Sequence, residues 1–156
     1  MKVTEAVKRI TASAPKSENM KRDCEILRRV GKEVAKVHLA GVALGDCKPE
    51  NILVTSNDQI YFLDLEQATR NGNQPWDVAE FLYYSAHYML PVHAEAARTI
   101  ASSFLKGYLQ AGGNKQNVKA AASTKYTKVF SIFALPHLIL IMANACRKMG
   151  EEKKDG

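Results

Sequence analysis

Cysteine is scarce in this chain, and the three present, Cys24, Cys47 and Cys146, form no Cys-x-x-Cys pair. An odd, scattered set argues against a disulfide framework and fits a reducing compartment, which is read as the cytoplasm. No uninterrupted apolar run reaches the ~20 residues that a membrane span needs. The nearest approach, 129–146, contains Ser131, Pro136, His137 and Asn144. It reads as a buried C-terminal helix broken at Pro136, with His137 as a core residue, and no membrane partner is expected. No basic segment followed by an apolar one opens the chain, so a signal peptide is not evident. Internal repeats, low-complexity stretches and nucleic-acid-binding motifs are also missing. A net charge of +6 permits contact with nucleic acid or nucleotide phosphates, but no motif supports nucleic acid. The charges read as dispersed along the chain rather than collected in one run.

What is there is ordinary for one globular domain: 156 residues, 46% hydrophobic and 24% charged. Residues 4–12 suit a short helix capped by Thr4, and 13–17 break it. Residues 21–40 repeat Ile26, Val30, Val34 and Val37 at helical spacing. Residues 52–55 and 60–63 are apolar or β-branched runs around the turn formers Ser56, Asn57, Asp58 and Gln59, which predicts a hairpin. A polar loop follows over 67–74. Asp77 then stands as a helix cap, with Glu80 three residues on, before an apolar helix over 78–89. Residues 93–110 read as an amphipathic helix ended by Ala111-Gly112-Gly113. More helix runs from about 118 to 147, with a break near Ser123-Thr124. The fold class is mainly α with one small β-hairpin.

The chemistry concentrates in 45–66. Asp46 precedes Asn51 by five residues, the spacing of a kinase catalytic loop, and Asp64 ends an apolar strand. With Asn57-Asp58 as the tight turn, the register sets Thr55 against Ile60 and Asn51 against Asp64, roughly 5 Å apart. An amide oxygen beside a carboxylate oxygen suits Mg²⁺ or Mn²⁺, whose shell waters and ATP phosphates would complete. Asp46 is the expected acceptor of the attacking hydroxyl's proton, and Lys48 the expected contact to the phosphoryl group. Pro49 biases Lys48 toward an extended backbone. Cys47 reads as a small packed residue, and Glu66 as solvent-facing.

The run Gly45-Asp46-Cys47-Lys48-Pro49-Glu50-Asn51-Ile52-Leu53 resembles the catalytic loop of the protein-kinase-like superfamily. Gly45 before Asp46 is similar to the atypical branch: RIO kinases, the small kinase of the tRNA-modifying complex, and aminoglycoside and choline phosphotransferases. The likeness covers about 24–90. It implies a kinase-like C-terminal lobe over 1–150, with a frayed tail at 151–156. It also implies an ATP- and Mg²⁺-dependent transfer of the γ-phosphate to a hydroxyl, with a Ser/Thr of a protein favoured by Lys48-Pro49. Asp46 and Lys48 would be catalytic, Asn51 and Asp64 metal ligands, and Asp77 and His38 supports of the loop, His38 through loop backbone. The sequence departs from the pattern in three places. Leu44 replaces the usual His, Leu65-Glu66 replaces Phe-Gly, and only twelve residues separate Asp64 from Asp77. No G-x-G-x-x-G or Val-Ala-Ile-Lys-like strand precedes Gly45, so the N-lobe is expected from elsewhere, in cis or from a partner chain. Two alternatives stand beside this: a non-catalytic docking module, and a small-molecule phosphotransferase.

Overall fold

The computed structural model describes residues 1–12, 17–89 and 93–151. Among these described residues seven α-helices and two short antiparallel strand pairs follow in the order α1 (Val3–Ala12), α2 (Glu18–Leu39), β1 (Val42–Ala43), β2 (Ile52–Val54), β3 (Ile60–Phe62), β4 (Thr69–Arg70), α3 (Gln74–His87), α4 (Ala94–Gln110), α5 (Lys115–Ala121), α6 (Thr124–Phe130) and α7 (Pro136–Glu151). The mainly helical architecture agrees with the sequence reading. From residue 152 on, the expected frayed tail lies outside the described residues, as does most of the 13–17 break.

The core is built around the crossing of α2 and α4. The periodic apolar residues of α2, Ile26, Val30 and Val34, are buried against Ile100, Phe104 and Leu105 of α4. Two glycines let the backbones touch: a Cβ on Gly107 would lie 1.8 Å from Arg28 O, and one on Gly31 2.1 Å from Phe104 O. No side chain fits there without moving a helix. Phe81 of α3 stacks on Phe104 at 4.1 Å between ring centroids, joining the third helix to this pair. Helix α1 is tied to α2 by Arg9, which donates to the buried Asp23 at 2.6 and 2.9 Å.

Helix boundaries differ from the local signals where tertiary pairing intervenes. Thr4 is buried inside α1 rather than capping it. The chain start instead lies along β2, with Met1 and Val54 exchanging backbone bonds at 2.8 Å and Lys2 bridging Leu53. Ser17 caps α2, its hydroxyl accepting from Met20 N–H at 3.2 Å, so the helix begins three residues early. Asn73, not Asp77, caps α3. The 118–147 stretch is three helices, broken at Ala122-Ser123 and again ahead of Pro136.

The C-terminal segment is not uniformly buried. One face of α7 enters the core through Leu138, Met142 and Cys146, but Val129, Ile132, Phe133, Leu135 and Leu140 are exposed, and so is His137. Apolar content alone did not distinguish the two faces. Among the described residues no helix is long and apolar enough to cross a membrane.

Candidate active site

The loop from Leu44 to Asn51 is held from below by α3. Asp77 accepts Leu44 N–H at 2.7 Å and Gly45 N–H at 2.8 Å, one carboxylate oxygen to each. One turn on, Glu80 accepts Cys47 N–H at 2.7 Å. Trp76 Nε1–H donates to Gly45 O at 3.2 Å. Three successive features of one helix end therefore set four backbone groups of the loop. An i, i+3 pair of carboxylates lies on a single helix face, which is why both reach the loop.

Asp77 is fully buried and needs this company. Its Oδ2 also lies 2.9 Å from His38 Nε2 at the end of α2. With Nε2 donating, His38 Nδ1 accepts from the Tyr108 hydroxyl at 2.8 Å. Asn117 donates to that hydroxyl and to Gln74 Oε1, both at 2.9 Å, and Gln74 returns to His38 O at 2.8 Å. His38 therefore reaches the loop through Asp77 and not by bonding loop backbone.

Glu80 was missed as a site residue. Its spacing from Asp77 was visible, and was read as a capping arrangement. It is buried, and burial pushes its carboxyl up to about 7, with the charges of Asp46 and Asp77 adding to the effect and the Cys47 amide and Lys48 opposing it. Cys47 is buried, and burial first, then Asp77 and Glu80, raise its thiol well above the ordinary range.

Above this support, Asp46 is gripped on both oxygens. Lys48 Nζ lies 2.9 Å from Oδ1, and Asn51 Nδ2 donates to Oδ2 at 2.8 Å and to the Asp46 carbonyl at 3.3 Å. The bond to Asp46 raises the Lys48 ammonium above its usual value, against partial burial. Its Nζ also sits over the Tyr84 ring at 5.2 Å. Gly45 has φ +79°, and a Cβ there would meet Gln67 O at 2.5 Å. A glycine is required on both counts, since the loop is pressed against the turn that follows Asp64.

The hairpin register corrects the sequence reading by one residue. Val54 pairs with Ile60, Ile52 with Phe62, and Leu63 N–H bonds Asn51 O at 2.8 Å, so Asn51 faces Leu63 and not Asp64. The loop has three residues because Asp58 is left-handed at φ 61°, with Thr55 N–H bonding Gln59 O at 3.0 Å. Arg29 of α2 reaches across to Asp58 at 3.4 Å, a loose and exposed ion pair. Asp64 is itself left-handed, φ 53° and ψ 60°, and heads a short 3-10 turn over Leu65–Gln67. It makes no hydrogen bond or ion pair among the described residues, although its place before the turn is where a capping side chain would bond. Glu66 is exposed. A second strand pair, absent from the sequence reading, sets Val42 opposite Arg70 and Ala43 opposite Thr69, closing the polar segment back onto the loop.

A carboxylate bridged by Lys and Asn on a loop held by α3, beside a two-stranded ribbon, defines an atypical protein-kinase-like lobe. Residues 2–108 match the model of the lipopolysaccharide kinase (Kdo/WaaP) family, and the chain belongs to that family. It is also 34% identical over 98 residues to a probable serine/threonine-protein kinase BUD32 homolog of Archaeoglobus fulgidus, a match covering 62% of this chain and 48% of that protein. The chain thus spans about half the length of this curated relative. No solved structure matches it.

Proposed function

We propose that this chain is the catalytic lobe of an ATP-dependent kinase that transfers the γ-phosphate to a hydroxyl, with a Ser or Thr of a protein as acceptor. The observation that carries the reading is the geometry of Asp46: a carboxylate fixed by Lys48 and Asn51 on a loop whose amides are locked by Asp77 and Glu80. Such a group is oriented before substrate arrives, so an incoming hydroxyl meets an acceptor that need not reorganise. Lys48 brings a cation beside it, where charge on a transferring phosphoryl group is stabilised. The protein acceptor rests on the Lys48-Pro49 pair and on the name carried by the archaeal relative.

The donor set fits a hard divalent ion: Asn51 directs its NH₂ to Asp46, which leaves its amide oxygen to accept, and the Asp64 carboxylate is uncommitted. Mg²⁺ or Mn²⁺ held by Asn51 and Asp64 would neutralise phosphate charge and orient ATP. A nucleotide-covering lobe comes from outside these residues, in cis or from a partner chain. The cytoplasm, reducing and supplied with ATP, suits three unpaired cysteines.

The test is radiolabelled phosphate transfer from ATP by the intact protein with Mg²⁺, before and after Asp46→Asn. Transfer that survives the substitution refutes the assignment of Asp46. A second reading, a sugar or other small-molecule hydroxyl as acceptor, is favoured by the family's own description. A peptide library and a panel of small hydroxylated acceptors separate the two.

A further inference from the structure

The positive charge of this chain has an address that the sequence reading overlooked. Residues 1–95 hold 12 Lys and Arg against 13 Asp and Glu, residues 96–150 hold 8 against none, and 151–156 hold 2 against 3. The entire excess falls on the segment that forms α4 to α7. Part of that charge borders an open groove of 590 Å³ between α4 and α7.

The groove has an ordered chemistry. Ile141, Ala145 and Met149, four residues apart on one face of α7, give it an apolar strip about 12 Å long. Arg98 and Lys106 of α4 and Lys148 of α7 line it as cations, with Glu95 at the start of α4 as its one carboxylate. Among the described residues Lys106 and Lys148 make no ion pair, and Arg98 has only a loose, exposed contact to Glu95 at 3.3 Å. Thr99 and Ser102 add hydroxyls on the α4 side. Three cations against one carboxylate leave the groove with a net positive charge, and Glu95 faces only Arg98 among them.

We propose that this groove is the docking site for an acidic amphipathic helix of a partner protein. A helix of about three turns matches the strip in length, its apolar face seated on Ile141, Ala145 and Met149. Its Glu and Asp residues meet Arg98, Lys106 and Lys148. Charge complementarity selects this occupant: a neutral or basic helix would leave those cations unpaired or repelled. The site lies apart from the Asp46 loop, and its occupancy is read without any phosphoryl transfer.

The probe is a fluorescein-labelled peptide of four turns, Leu on one face and Glu on the other, titrated with the full chain and followed by anisotropy. A control peptide has the same composition in scrambled order. The amphipathic peptide binds, the scrambled one does not, and added salt weakens the complex. Arg98→Glu with Lys148→Glu weakens binding by about tenfold or more, and Met149→Ala weakens it through the apolar strip. Circular dichroism confirms that each variant is folded; should the double variant not fold, Lys106→Glu alone replaces it. Absence of binding, equal binding of the scrambled peptide, or indifference to charge reversal overturns the proposal. So does saturable binding to phosphatidylglycerol vesicles without peptide binding, or a concentration-dependent dimer that buries the same residues.

Discussion

The two halves of this lobe treat charge in opposite ways. Around the loop, the carboxylates of Asp77 and Glu80 are buried and hold backbone amides, while Asp46 is bridged by side chains. From residue 96 to 150 there is no carboxylate at all, and cations stand at the surface. A buried carboxylate is costly unless several donors converge on it, and in return it fixes those donors. The loop side accepts that cost where a main chain must be immobilised. The other side leaves its charge facing outward, where it acts on whatever approaches.

The contrast can be broken first at Asp46. Asp46→Asn should lower phosphate transfer by about a thousandfold in the intact protein, with the thermal midpoint nearly unchanged. Asp77→Ala comes next, because it strands two amides and His38 together. A loss of about 3 to 5 kcal/mol in urea denaturation is expected, and a smaller loss would mean that water replaces the carboxylate. In the acid-free half the matching lesion is steric. Gly107→Ala should cost roughly 3 kcal/mol, since its new methyl overlaps the Arg28 carbonyl.

Glu80 sharpens the comparison through pH. Its folded value, about 7, lies above the ordinary carboxyl range. The folded state therefore binds this proton more tightly, so stability from Glu80 is fullest below about pH 4.5 and falls as pH rises toward 7. Glu80→Gln keeps an oxygen for Cys47 N–H and removes the titration. Its stability relative to wild type should climb through that window, by on the order of 2 kcal/mol, and level off above pH 8. A flat difference between pH 4 and 8 would show that Glu80 titrates normally. The smallest effect belongs to the exposed cations: Arg98→Glu with Lys148→Glu should change stability by no more than about 0.5 kcal/mol, while helix-peptide binding weakens by about tenfold or more.

Much of the loop was legible because its residues act over short sequence distances. Asp46, Lys48 and Asn51 lie within six positions, and their convergence needs only the turn that Pro49 begins. Asp77 was legible by family resemblance. Glu80 was not, since a carboxylate three residues into a helix looks the same whether it caps that helix or reaches for a distant amide. The hairpin was visible but its register was not, because the same residues suit a two-residue turn at Asn57-Asp58 or a three-residue one with Asp58 left-handed. Likewise the apolar content of 129–146 predicted burial, yet Val129, Ile132, Phe133, Leu135 and Leu140 face outward.

Local order determined the helical class, the loop and the identity of its polar residues, because spacing and turn chemistry act along the chain itself. Tertiary structure alone decided which carboxylate meets which amide, where Asp64 stands relative to Asn51, and which face of α7 is covered. Those outcomes depend on contacts between segments tens of residues apart, and no local pattern encodes the distance between them.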